Sequence, residues 1–155
     1  MNLTDMLRFR RGSVLSKLYQ WKAMRIGADI PSAVTIGSDV KFPHNSLGTV
    51  IHPDVVIEDA CVVYQNVTLG RQDAYAEAPA SAKLTLVLHR GCIICAGAKV
   101  LASFDKPVHI GKGAIVGANA VLTHSIGDYE IWAGIPARLI GTATTNETSP
   151  KEPLK

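Results

Sequence analysis

Two residues of this 155-residue chain have the types and spacing needed to take a proton from a hydroxyl group. An imidazole is the usual general base, because its pKa lies near working pH. His44 is the best placed of the five histidines, and Asp29 precedes it by 15 positions. A carboxylate beside an imidazole can fix its tautomer and stabilise the imidazolium. The pair can act together only if the fold brings position 29 next to position 44.

The other residues that could do chemistry favour structural interpretations. Cys92 and Cys95 have C-x-x-C spacing, but no second pair or histidine cluster completes a zinc site. The remaining four histidines are interpreted as surface or structural residues: His52, His89, His109 and His124. His89 and His109 lie twenty positions apart, and we predict no metal site.

A six-residue repeat defines the elements that must position His44 and Asp29. Thirteen bulky apolar residues fall on this period: Ile30, Ile36, Phe42, Ile51, Ile57, Val63, Leu69, Leu88, Ile94, Val100, Ile110, Val116 and Leu122. The fourth residue after each is usually small or β-branched, and Cys61 and Cys92 occupy two of these positions. Such a hexapeptide repeat is typical of a parallel β-helix, in which each unit forms one short strand and a turn.

Three hexapeptides form one triangular coil of about 18 residues, so Asp29 and His44 can approach each other on adjacent coils. The repeat slips at four places, and the extra residues must leave as surface loops because a stacked interior has no room for them. One slip follows Phe42 and lets His44 turn outward. The longest insertion, Gly70–Val87, predicts a projecting loop.

The repeat divides the chain into three regions. Residues 28–141 are the predicted β-helix, and residues 142–155 lack periodicity and are predicted to be a flexible tail. Residues 1–27 are basic and amphipathic, which predicts a short helical cap over the open end of the solenoid. Peripheral membrane contact through this segment is the alternative. A net charge of +3 gives no reason to expect nucleic acid binding, and the absence of a signal or membrane-spanning segment predicts a cytoplasmic protein.

Several short motifs resemble the hexapeptide-repeat acyltransferases, and the serine acetyltransferases in particular. These motifs are Q-N-V-T-L-G at 65–70, A-G-A-K-V at 96–100, G-A-N-A-V at 117–121 and A-G-I-P-A-R at 133–138. The segment from Asp29 to His44 matches in length the family segment that carries the catalytic histidine and its aspartate partner. The resemblance covers about residues 28–141.

This resemblance implies a left-handed β-helix, a homotrimer and acetyl-CoA as the acyl donor. It assigns His44 as the catalytic base and Asp29 as its partner. The motif matches imply that Gly70, Ala96 and Ala118 line the pantetheine arm of coenzyme A, while Lys112 and Arg138 are candidate partners for its phosphates. Arg71 replaces a family glycine directly after Gly70.

Three departures bear on the acceptor. Pro43 replaces the aspartate that precedes the family's catalytic histidine, the loop through Val87 lacks the family's second histidine, and the long N-terminal helical domain has at most 27 counterpart residues. These departures favour an O-acetyltransferase acting on a sugar or a cell-surface polysaccharide precursor. A short serine O-acetyltransferase is one alternative. A non-catalytic β-helix or a protein similar to γ-class carbonic anhydrases is another.

Overall fold

Each hexapeptide forms one short strand and one tight turn, because its two inward positions are apolar and the residues between them face solvent. The computed structural model describes residues 21, 23–25, 27–73, 75–77 and 82–143. In this part of the chain all strands but the last stack in parallel register from coil to coil. Val62 pairs with Ile93, for example, and Ile93 pairs with Ile115.

The strands form three sheets, which we call faces A, B and C of a triangular prism. Face A contains Val50–Ile51 (β2), Thr68–Arg71 (β5), Lys99–Ala102 (β8) and Val121–Leu122 (β11). Face B contains Thr35–Ile36 (β1), Val56–Ile57 (β3), Leu86–Leu88 (β6) and Val108–Ile110 (β9). Face C contains Val62–Val63 (β4), Ile93–Ile94 (β7), Ile115–Val116 (β10), Glu130–Ala133 (β12) and Arg138–Thr142 (β13). Isolated bridges of Asp29 to Val50 and of Lys41 to Val62 extend faces A and C into the first coil.

The core is the stack of inward positions that the repeat predicts. Twelve of the thirteen grid residues are buried, and Ile36 is partly buried against the same cluster. Cys61 and Cys92 are buried on adjacent coils, where the Cys92 thiol donates to the Cys61 sulfur at 3.6 Å. This hydrogen bond lowers the pKa of Cys61 and, together with burial, raises the pKa of Cys92. Cys61 and Cys92 thus fill the core at the small positions that the repeat assigns to them.

The insertions leave the prism at its corners. The first insertion forms the turn Pro43–Ser46, between faces C and A. The base of the long insertion is fixed by Arg71, whose Nε donates to Asp73 at 2.9 Å and whose guanidinium lies 4.1 Å from the centre of the Phe104 ring. Arg71 thus joins its own loop to the next coil.

The two ends of the prism differ. Trp21 and residues 23–25 are helical and Ala23 is buried against the core, whereas residues 1–20 of the predicted cap lie outside the described residues. At the other end β13 runs antiparallel to β12 and continues to Thr142, the first residue of the predicted tail. Residues 144–155 also lie outside the described part. No helix in the described part is long and apolar enough to cross a membrane.

Candidate active site

The turns between faces C and A stack into a column that we call the C–A corner. Consecutive turns are joined by backbone hydrogen bonds from Asn66 N to Leu47 O (2.8 Å), from Gly97 N to Gln65 O (3.0 Å) and from Asn119 N to Ala96 O (2.9 Å). His44, Gln65, Ala96 and Ala118 each lie two residues after an inward grid residue of face C. The fold therefore aligns the candidate base with two of the predicted donor-binding residues.

His44 is exposed at the first turn of this column. It has φ 55° and ψ 29°, and Asn45 and Ser46 also have positive φ. Three consecutive left-handed residues make a tight bend, which Leu47 N closes by donating to His44 O at 3.2 Å. Because the insertion places this bend outside the stacked strands, the imidazole is open to solvent. The predicted outward turn of His44 is confirmed.

Asp29 lies on the neighbouring coil at the start of face A. Its N donates to Thr49 O at 2.8 Å, and Thr49 N in turn donates to Ser46 O at 2.9 Å. The chain that leaves the His44 turn is therefore hydrogen-bonded directly to Asp29. Both side chains are exposed, and within the described residues no side-chain hydrogen bond or ion pair joins them. The two residues therefore lie on adjacent coils at one corner, and the catalytic pairing of their side chains stays a prediction.

The upper part of the column offers backbone and small side chains to a ligand. Gly97 has φ +73°, and a Cβ there would collide with Oδ1 of Asn119 on the next turn. The Lys99 ammonium donates to Gly97 O at 2.7 Å and to Asn66 O at 3.1 Å, which ties adjacent turns together. Ala118 is exposed. Gly97 thus lets the Asn119 turn stack closely on its own turn, and the exposed Ala118 leaves only a methyl group on the outer surface of that column.

The remaining predicted donor-binding residues lie at three different places on the prism. Gly70 lies within β5 on face A. Lys112 lies at the corner between faces B and C, where its N donates to Asp128 at 2.7 Å and its Nζ lies 5.8 Å from the centre of the Tyr129 ring. Arg138 is exposed in β13. It directly follows the last turn of the C–A corner, which is joined to face A by hydrogen bonds from Val121 N to Gly134 O (3.1 Å) and from Ala137 N to Val121 O (2.9 Å). Within one chain, only Lys112 of these two cations lies at a different corner from Ala96 and Ala118.

The four histidines that were interpreted as surface or structural residues each contact a neighbouring group. His52 Nδ1 accepts from Asp54 N at 3.3 Å, and His124 packs edge-on against Trp132 with ring centroids 4.8 Å apart. His89 and His109 are half-buried and in contact with each other, with their ring centroids 5.5 Å apart. The register partner of His109 is Val87, and His89 follows Val87 by two positions, so the stacking of β6 and β9 brings the two rings together.

An open cavity of about 480 Å³ lies on face B. Its lining includes Val56, Val87, Asp54 and Lys83. The cavity is separated from the C–A corner by the body of the prism, so it is not part of the candidate site within one chain.

Comparisons with curated proteins identify relatives that share this repeat region. No protein-family model matches the chain. It is 33% identical over 123 residues to a putative serine acetyltransferase of Schizosaccharomyces pombe, an alignment that covers 78% of this chain and 41% of the relative. It is 32% identical over 130 residues to the serine acetyltransferase of Haemophilus influenzae, covering 84% of this chain and 45% of the relative. The chain thus spans less than half the length of these relatives.

Solved structures show the same architecture. A serine acetyltransferase from Vibrio cholerae superposes with a TM-score of 0.71 at 27% identity, covering 94% of this chain and 52% of that one. A serine acetyltransferase in complex with CoA superposes with a TM-score of 0.66 at 29% identity, covering 89% and 52%. The prism described above is therefore a left-handed parallel β-helix, as the resemblance implied.

Proposed function

We propose that this chain, a member of the hexapeptide-repeat acyltransferase family, transfers an acetyl group from acetyl-CoA to the hydroxyl of L-serine. The observation that carries the proposal is the C–A corner, where His44 and Asp29 lie at one end of a column that continues through Ala96 and Ala118. A base and a groove for an extended thioester are the two parts that acyl transfer to a hydroxyl requires.

The chemistry assigns one proton transfer to His44. A neutral imidazole nitrogen takes the hydroxyl proton of the acceptor as its oxygen attacks the thioester carbonyl carbon. The carbon–sulfur bond then breaks, and the coenzyme A thiolate receives the proton from the imidazolium. Asp29 stabilises that imidazolium by its charge. No redox partner or metal ion is needed to balance this reaction.

The choice of L-serine replaces the sugar hydroxyl that the sequence departures favoured. Proteins similar to this chain are named serine acetyltransferases, which supports the amino acid. A sugar acceptor remains the second candidate, because Pro43 stands beside His44 and the sequence contains no histidine from Arg71 to Val87. Comparing the two acceptors in one assay separates these candidates.

Acetyl-CoA should raise the melting temperature of the chain, and Ala118→Phe should remove that increase. At a ligand concentration of about 100 times Kd the folded state gains about 2.7 kcal/mol, which corresponds to roughly 5–10 °C for a chain of this size. Ala118 is exposed, so the larger ring should obstruct the groove and leave the ligand-free melting temperature near that of the wild type. Ala33→Phe, an exposed alanine outside the C–A corner, is the matched control and should keep the increase. A flat wild-type titration up to millimolar acetyl-CoA would remove the donor assignment.

We also propose that the protein is a homotrimer. Val62, Ile93, Ile115 and Ile131 form a register-paired column of partly exposed apolar side chains along face C. Closed assembly around a threefold axis would cover such a stripe. Light scattering at micromolar concentration should give three times the 16.6 kDa chain mass. A monomeric mass would contradict the assembly.

A further inference from the structure

Three side chains outside the C–A corner form a hydrogen-bonded chain that the proposed reaction does not use. Glu58 Oε1 lies 3.0 Å from His89 Nδ1, and His89 Nε2 lies 3.3 Å from His109 Nδ1. The two rings are nearly parallel, with an interplanar angle of 14°. Glu58 and His89 follow β3 and β6 at the corner between faces B and C, and His109 lies in β9. Parallel stacking of adjacent coils thus brings the three groups together.

Glu58 determines which nitrogen of His89 is free. A carboxylate accepts, so His89 Nδ1 carries the proton and donates it to Glu58. The second carboxylate oxygen of Glu58 accepts from Arg90 N at 2.9 Å, which fixes the carboxylate in place. His89 Nε2 is then left with its lone pair directed at His109 Nδ1. A carboxylate that orients an imidazole in this way is the usual outer partner of a metal-bound histidine.

The distance between the two nitrogens fits a shared metal ion. Two nitrogens each roughly 2.0–2.1 Å from a tetrahedral ion lie roughly 3.3–3.4 Å apart, and His89 Nε2 and His109 Nδ1 are 3.3 Å apart. The side chains of His89 and Glu58 are 37% and 43% exposed, so an ion can enter and keep water as its other ligands. No group of three or more donors in the described part converges on one metal position, so the chain would supply two ligands.

We propose that His89 Nε2 and His109 Nδ1 bind one divalent transition-metal ion of the zinc and copper class, with Glu58 positioning His89. Imidazole nitrogens suit these metals. On binding, neutral His109 would carry its proton on Nε2 instead of Nδ1, so that both facing nitrogens present lone pairs to the ion, which would join the coil of β6 to that of β9 on the outer surface. Within one chain these residues lie at the B–C corner and not at the C–A corner, and the proposal does not depend on acetyl transfer.

Calorimetric titration of the full chain with Zn²⁺ tests this proposal, and electron paramagnetic resonance with Cu²⁺ identifies the ligands. We expect one ion per chain and a two-nitrogen copper signal in the wild type. His89→Gln and His109→Gln should each weaken Zn²⁺ binding by at least about 30-fold, and Glu58→Gln should weaken it by about 10–100-fold. His52→Gln is the matched control, because His52 Nδ1 also lies near a carboxylate, 3.9 Å from Asp54, and it should change nothing.

The melting temperature of each metal-free variant shows that it remains folded. If the His89→Gln and His109→Gln variants keep the wild-type affinity within about threefold, the ion binds elsewhere and the assignment is wrong. If the wild type binds no Zn²⁺ below about 100 µM, the two rings share only a hydrogen bond and the proposal fails.

Discussion

His44→Ala should lower acetyl transfer by about 10²–10⁴-fold, the usual contribution of one positioned base. The imidazole serves the acceptor proton rather than the coenzyme arm, so the affinity for acetyl-CoA should be nearly unchanged. His44 is exposed on a turn outside the stacked strands, so the melting temperature should also be preserved. Turnover, acetyl-CoA affinity and melting temperature are therefore measured on the same variant. Activity within about threefold of the wild type would show that another group takes the proton.

Asp29→Asn extends this test to the second member of the pair. The amide keeps the shape of the side chain but removes the charge that stabilises the imidazolium, so turnover should fall clearly but by less than in His44→Ala. The double variant should be less than additive, because both residues act on one proton transfer. Fully additive effects would mean that Asp29 acts independently of His44.

Leu88→Ala should lower the free energy of unfolding by about 2–5 kcal/mol, the usual cost of truncating a fully buried leucine. Leu88 is 0% exposed and lies between Ile57 and Ile110 on the adjacent coils. The coils above and below cannot close the void, because their own backbone pairing fixes the spacing. Denaturant unfolding at one fixed protein concentration measures the change.

Val87→Ala is the matched control for Leu88→Ala. Val87 is the preceding residue of the same strand, but it faces outward and is only partly buried. Its truncation should cost less than about 1.5 kcal/mol. Equal losses for the two variants would contradict the assignment of inward and outward positions that the six-residue repeat makes.

The repeat predicted most of the fold because each hexapeptide uses the same inward positions. Ile51 and Leu69, which are 18 positions apart, could be placed in one stack from their spacing alone, and they are register partners. The handedness of the β-helix could not be predicted in this way, because a six-residue repeat is compatible with either hand. The left-handed assignment came from the family resemblance. The antiparallel strand β13 was not predicted. Its apolar residues Leu139 and Ile140 are exposed, so they do not continue the series of buried positions that defines the repeat.

The candidate site was predicted less completely. Asp29 and His44 could be placed on adjacent coils by counting residues, whereas Ala96 and Ala118 came from the motif matches to the family. Lys112 was proposed as a partner for the coenzyme A phosphates because it is a cation. Its charge does not indicate at which corner of the prism its turn lies, and the structure places Lys112 between faces B and C. The contact between His89 and His109 was missed because their spacing of twenty includes an insertion that lengthens the coil.

Release of free thiol from acetyl-CoA by the purified full chain tests the central claim most directly. The account predicts that L-serine accelerates thiol release by at least about tenfold over the acceptor-free rate. O-acetylserine should accumulate in step with the thiol, and sugars or nucleotide sugars should have a smaller effect. A larger acceleration by a sugar would contradict the assignment of serine. Absence of acceleration by every acceptor, in a protein that binds acetyl-CoA, would contradict acetyl transfer itself.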